Sequence, residues 1–166
     1  MKDTALCGAV FDCNVHLQAA SREMSVAAEC LRLVERGWVR HYLSEEVFLE
    51  IEDVLNRPEI RNYFKTLTDE IVEAFLLRLR RNSRIIRRVP KRFSYSRDPD
   101  DEPYINLAVK ARADYIVSRD KDLLDLMTDY TDDAKEFRQR FRPLKVIEPL
   151  EFSKEMRRLE NEIGAS

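Results

Sequence analysis

The chain has 166 residues, with 29 Lys+Arg against 31 Asp+Glu and a net charge of −2; that length suits one domain with its own core, and the balance excludes a uniformly basic nucleic-acid binder. Its three cysteines, Cys7, Cys13 and Cys30, form no CxxC, and with only His16 and His41 present this excludes a disulfide framework, a thiolate zinc site and a histidine-rich centre, so that any metal is held by oxygen. No apolar run approaches ~18 residues, and Lys2, Asp3, Gly8 and Asp12 interrupt the N-terminal one, so neither membrane nor export is indicated and the expected location is the reducing cytoplasm.

The first expected element is a buried strand over Ala5 to Phe11, ending in Asp12, Cys13 and Asn14. A helix is expected over roughly Ser21 to Arg36, where Val26, Ala27, Cys30, Leu31 and Val34 recur at helical spacing and Gly37 stands at the stop. Trp38 to Leu43 reads as a second strand. Ser44, with acids at 45 and 46, opens a helix to about Leu55 whose buried stripe is Val47, Phe48, Ile51, Val54 and Leu55. Glu50 and Glu52 border that stripe on opposite sides, and periodicity does not choose between them. A turn around Ile60 to Phe64 is followed by an amphipathic helix from Thr68 to Leu79, a short strand over Ile85 to Val89 and a loop over Pro90 to Ser96. The segment from Thr128 to Arg142 offers few core candidates. A last strand is expected over Leu144 to Ile147 and a terminal helix over Phe152 to Ile163. Strands alternating with helices imply a mostly parallel sheet covered on both faces, an α/β class.

Charge is distributed unevenly within this frame. Between Glu73 and Asp98 there is no acid and there are nine basic residues, including Arg84, Arg87, Arg88, Lys91 and Arg92. The run abuts an acid cluster, Asp98, Asp100, Asp101 and Glu102, and Pro103 marks a helix start behind it. A strand over Tyr115 to Val117 then delivers Ser118, Arg119 and Asp120 to its carboxyl end, where parallel sheets gather their sites. Each acid has an ordinary reading: Asp12 as a turn or cap, one of Asp98 to Glu102 as an N-cap, Asp120 or Asp122 as the cap of the next helix. Taken together they converge on one edge, and three or four mutually repelling carboxylates are usually reconciled by a hard divalent ion.

Four stretches carry a resemblance. VFDCNV from Val10, SEEVFLEI from Ser44 with Val54-Leu55, DPDDE from Asp98, and DYIVSRDKDLL from Asp114 together resemble the PIN domain family, closest to the VapC-like toxin components of bacterial toxin-antitoxin systems. Asn56-Arg57-Pro58 also fits that subfamily. The resemblance implies a three-layer α/β/α sandwich with a central, mostly parallel sheet, formed by a nuclease domain over 1–150 with a C-terminal helix over 151–166 packed on it or extending it.

It also implies a cytoplasmic, metal-dependent hydrolase: an endoribonuclease acting on single-stranded RNA, paired with a cognate antitoxin and able to form a homodimer. The family's acids fall on Asp12, Glu50, Glu102 and Asp120, with Asp101 as the alternative to Glu102; these five are the ligands expected for Mg²⁺ or Mn²⁺. Asn14, Ser44, Asp98, Ser118 and Asp122 would support them. Arg84, Arg87, Arg88, Lys91, Arg92 and Arg119 are the expected RNA contacts. The pattern departs from the family at Cys13, where threonine is usual, at Glu102, and at Ser118-Arg119, where Thr-Gly is usual.

Three other readings compete with this one. A PIN-like module that binds RNA or protein without cutting is motivated by Glu102 and Arg119. A haloacid-dehalogenase-type phosphatase wants a second acid two residues after Asp12, and Asn14 stands there. A receiver-like signalling domain shares the acidic pocket but wants a separate strand-end phospho-acceptor together with the required lysine on a final strand, and that combination is not seen.

Overall fold

The structure, a computed structural model, describes residues 4–165; Lys2 and Asp3, two of the residues that interrupt the N-terminal apolar stretch, lie outside the described residues. β1 (Cys7–Phe11) is buried along its whole length, as a strand covered on both faces must be. It pairs in parallel with β2 (Val39–Leu43) on one side and with β4 (Tyr115–Val117) on the other. β3 (Ser83–Ile85) extends the sheet beyond β2, and β5 (Lys145–Ile147) extends it beyond β4. The order β3-β2-β1-β4-β5 is parallel throughout. The chain therefore winds outward from β1 to one edge, then crosses back to start again at β4. Between β1 and β4 lies the point where connections leave in opposite directions, which opens a crevice beyond their carboxyl ends.

Helices cover both faces of the sheet, and their ends are chemically marked. α1 (Cys13–Ser21) follows β1 directly and is capped by Asp12; the sequence pattern does not signal it, since its buried positions include His16 as well as Val15. α2 (Val26–Glu35), capped by Ser25, stops where the N–H groups of Gly37 and Trp38 bond back to the carbonyls of Val34 and Leu33 at 3.0 Å each. That 6→1 and 5→2 pattern needs a left-handed residue, and Gly37 supplies it at φ +84°. α3 (Glu45–Asn56) buries Val47, Phe48, Ile51 and Leu55, whereas Val54 is half-buried. The expected turn near Ile60 is a short helix, α4 (Pro58–Tyr63), and α5 (Asp69–Asn82) begins at its cap Thr68.

Two further elements differ from the sequence reading. The third strand lies over Ser83–Ile85, earlier than Ile85 to Val89, because His41 to Leu43 of β2 pair with residues 83 to 85. Only the Ile86 N–H continues the ladder, to the carbonyl of Leu43 at 2.7 Å. The polar region after Met127 holds a helix, α8 (Asp132–Arg140), which buries Ala134 and Phe137. Between them stand a 3-10 turn over Pro99–Asp101, α6 (Glu102–Ala111) and α7 (Lys121–Leu124). α9 (Pro149–Ala165) packs on α2, and its Phe152 meets the rings of Phe11 and Tyr115 edge-on at 5.8 and 5.5 Å. No helix among the described residues is long and apolar enough to cross a membrane.

Candidate metal centre

The crevice beyond β1 and β4 is lined by acids that the backbone itself aims. Asp12 leaves the end of β1 with one carboxylate oxygen accepting the Val15 N–H of α1 at 3.0 Å. Its other oxygen accepts a short hydrogen bond from the Ser118 hydroxyl at the end of β4. Ser118 Oγ in turn accepts the Asp120 N–H at 2.9 Å, and Asp120 Oδ1 accepts the Asp122 N–H at 2.9 Å as it caps α7. One strand end thus positions three acids through a chain of hydrogen bonds. Asp98 caps the 3-10 turn by accepting the Asp100 N–H at 3.2 Å.

Carboxylate oxygens of Asp98, Asp101, Asp120 and Asp122 all lie within 4.8 Å of one another. Asp101 is buried among them, and its Oδ2 has no hydrogen-bond partner. Burial first, then the charges of Asp120, Asp98 and Asp12, push the Asp101 carboxyl up to about 8. Burial likewise raises Asp12 to about 6, against the pull of Ser118 and Val15 and with Asp120 adding to the rise. Asp98 is also raised, through desolvation first and then its neighbours Asp122 and Asp120. A clustered set of hard oxygen donors, one of them buried and unsatisfied, fits a divalent cation such as Mg²⁺ or Mn²⁺.

The cluster differs in membership from the set expected by resemblance. Asp101 and Asp120 stand in it together with Asp98 and Asp122, which the sequence reading had placed in support. Asp12 adjoins it through Ser118 and through its charge on Asp101. Glu102 is not part of it: its carboxylate is paired with Lys91 at 3.1 Å. Glu50 is half-buried on α3 while Glu52 is exposed, a difference that periodicity did not show. The Glu50 carboxyl, raised chiefly by burial, faces Tyr104 and feels the charge of Asp100, and it too lies outside the four-acid group.

Of the supporting residues, Ser118 bonds an acid directly. Ser44 instead spends its hydroxyl capping α3, accepting the Val47 N–H at 3.1 Å, and Asn14 is exposed, with its backbone N–H facing Asp12. Arg87, Arg88, Lys91 and Arg92 are exposed on the strap between β3 and the 3-10 turn, and Arg84 is exposed on β3. Arg119, adjacent to the acids in sequence, is held away from them by the Gln18 side chain of α1, 2.9 Å from its guanidinium.

Four residues of this region escaped the sequence reading. The buried Tyr104 hydroxyl stands beside Cys13 and Glu50 behind the acids. Arg97 pairs with Asp122 at 2.6 Å and Asp125 at 2.8 Å, fixing the flank of the cluster. Tyr95 is buried and donates to the Asp122 carbonyl at 2.6 Å. Asn106 bolts down the strap, its Oδ1 accepting the N–H groups of Arg92 and Phe93 at 2.8 and 2.9 Å while Nδ2 donates to the Phe93 carbonyl. The one available signal was Arg97, the last base of the basic run, standing directly before the acid cluster.

A family model described as PIN domain matches residues 8–122. An uncharacterized protein of Methanocaldococcus jannaschii is 28% identical over 148 residues, covering 88% of this chain and 89% of that protein. No solved structure matches the chain significantly.

Proposed function

The chain belongs to the PIN domain family, and from that premise we propose that it is a metal-dependent endoribonuclease that hydrolyses phosphodiester bonds of single-stranded RNA. The observation that carries the reading is the group of four aspartates within 4.8 Å of one another at the carboxyl edge of the sheet, with Asp12 hydrogen-bonded alongside. Asp98, Asp101, Asp120 and Asp122 would hold Mg²⁺ or Mn²⁺, and Asp12 would complete the site. When bound, such an ion supplies an activated water and offsets charge on the phosphoryl oxygens.

The chain's own residues do the positioning. Ser118 and the Val15 N–H fix both oxygens of Asp12, so its orientation does not depend on substrate. Asp101 keeps an oxygen free of competing hydrogen bonds. Tyr104 and the half-buried Glu50 close the crevice from behind. Arg87, Arg88, Lys91 and Arg92 hold the phosphate backbone on the strap, and Arg119 does so on the other flank, with an affinity that falls as salt rises. In the cell the protein acts as the toxin of a toxin-antitoxin pair, with a cognate antitoxin docking near the acids and a homodimer as its assembly. The support for that finer reading is the sequence resemblance alone.

The test is cleavage of labelled single-stranded RNA in Mn²⁺ or Mg²⁺, beside an EDTA control and an Asp12→Asn variant. Metal-dependent cutting that the variant loses is expected. One observation favours a second reading: Glu102, the family's acid position, is tied to Lys91. A folded protein inert on several RNAs, with wild type and variant alike, would make it a PIN-like binding module instead.

A further inference from the structure

Beside the acid crevice, beyond the carboxyl ends of β2 and β3, opens a cleft of about 600 Å³. One wall is the first turn of α3, bearing Glu45 and Glu46; the other is the chain from Ile85 to Val89. Arg80 lines the cleft, stacks on Phe48 at 4.1 Å from the ring centroid, and pairs with Glu45 at 2.8 Å, so those two charges are spent on each other. Glu46 is different. It is exposed, lines the cleft, and has no hydrogen-bond or ion-pair partner among the described residues. Arg87 and Arg88 are likewise unpartnered among the described residues, and Arg88, at φ +54°, turns the chain. The cleft neighbours the crevice across the sheet, since β2 pairs directly with β1, and on α3 Glu46 stands one turn before Glu50.

A volume of this size accommodates a small ligand or one nucleotide. Its three kinds of lining group match the parts of a nucleotide: Ile85, Ile86 and Val89 offer an apolar wall for a base, Arg87 and Arg88 a cationic rim for phosphate, and Glu46 a carboxylate acceptor. Single-stranded RNA is read on the Watson–Crick edges of splayed bases. Only guanine presents two adjacent N–H donors there, from N1 and the 2-amino group, matching the two oxygens of a carboxylate. Adenine and cytosine set a ring acceptor beside their amino group, and uracil flanks its single N–H with carbonyls; a carboxylate is repelled by those lone pairs. We propose that this cleft is a base-reading subsite that selects guanosine in the RNA strand next to the scissile bond, with Glu46 as the specificity-determining residue and Arg87 and Arg88 holding the adjoining phosphate.

The proposal rests on the ribonuclease reading and is tested without cleavage. Fluorescence anisotropy is measured on the metal-free full chain in EDTA with two labelled hexamers, oligouridine and the same strand carrying one guanosine. Wild type is expected to bind the guanosine strand at least about fivefold more tightly, the lower range for a bidentate base contact at an exposed site. Glu46→Gln and Glu46→Ala are expected to bring the ratio to about one with the melting temperature kept. Arg87→Gln with Arg88→Gln should weaken both strands alike and flatten the salt dependence. Equal binding of the two hexamers by wild type, no binding of either, or a ratio unchanged by Glu46→Gln overturns the subsite. Absent cleavage in Mn²⁺ with the guanosine preference intact would overturn the nuclease reading and leave the subsite standing.

Discussion

Asp12 opens α1, and His16 stands one turn further along the same helix, yet the two belong to buried polar clusters of opposite character. At the carboxyl edge, Asp12 and the four aspartates are held near one another by hydrogen bonds from backbone N–H groups and from Ser118, and burial, with their mutual repulsion adding to it, drives protons on: Asp101 to about 8, Asp12 to about 6. In the core, His16 and His41 meet edge-on at 5.1 Å between ring centroids, packed with Phe11 and Phe75. His41 Nδ1 bonds the Ser83 hydroxyl at 2.7 Å, and the other three ring nitrogens lack well-formed hydrogen bonds. Burial lowers His16 to about 3 and His41 well below its ordinary value, so both stay neutral. Both clusters face desolvation. The first meets it with donors suited to a cation, and the second by giving up charge altogether.

The difference can be broken most sharply at Asp101. Asp101→Asn is expected to reduce metal-dependent cleavage by on the order of 10²-fold, measured as kcat/KM on single-stranded RNA, because the buried unsatisfied oxygen is lost from the donor set. The same variant should be more stable than wild type without metal, by roughly 1–2 kcal/mol at pH 8. The sign follows from linkage. A carboxyl whose folded pKa is raised binds more protons in the folded than in the unfolded chain between about pH 4 and its folded value. Its contribution is therefore lost as pH rises from about 4 through about 8, the window set by Asp101. Urea denaturation of both proteins in EDTA at pH 5 and pH 8 should show the gap widening with pH, and Mn²⁺ should narrow it by stabilising wild type alone.

The histidine pair predicts the opposite slope. Between its unfolded pKa near 6.5 and about 3, His16 binds more protons in the unfolded chain, so stability is lost as pH falls through that window. His16→Phe, which keeps an aromatic ring against Phe11 and His41, should gain on wild type as pH drops from 6.5 to 4, by about 1 kcal/mol at pH 5. Parallel denaturation curves at all pH values would sink the idea. The smallest expected effect is at Ser118→Ala. Asp12 and the Asp120 N–H each lose a partner, for a loss of about 1 kcal/mol in thermal unfolding and a weakened affinity for Mn²⁺ by calorimetric titration.

Much of this architecture is legible residue by residue. Apolar runs placed β1 and β4, and the run Leu144 to Ile147, interrupted only by Lys145, placed β5; Ser44 and Thr68 marked helix starts, and Gly37 marked a stop that the hydrogen bonding repeats. α1 escaped because two of its inward positions are polar, His16 and Ser21, so no apolar stripe announces it. α8 escaped because it buries only Ala134 and Phe137. β3 was displaced because an edge strand three residues long carries too little alternation to fix a register.

What the sequence by itself determined, then, is the parallel α/β frame and the convergence of acids on one edge, since local apolar runs, caps and strand-end positions are written in short stretches of chain. What only the tertiary structure decided is which acids meet. The 3-10 turn over Pro99–Asp101 directs Asp101 toward Asp120, while Glu102, one residue on and rotated by roughly 100° in a helical turn, points to Lys91. The deeper burial of Glu50 than of Glu52, the place of Arg119 against Gln18, and the Tyr104 hydroxyl beside Cys13 and Glu50 arise in the same way. Each depends on a direction in space between segments far apart in the chain, and neighbouring acids in a run look alike until the fold turns one inward.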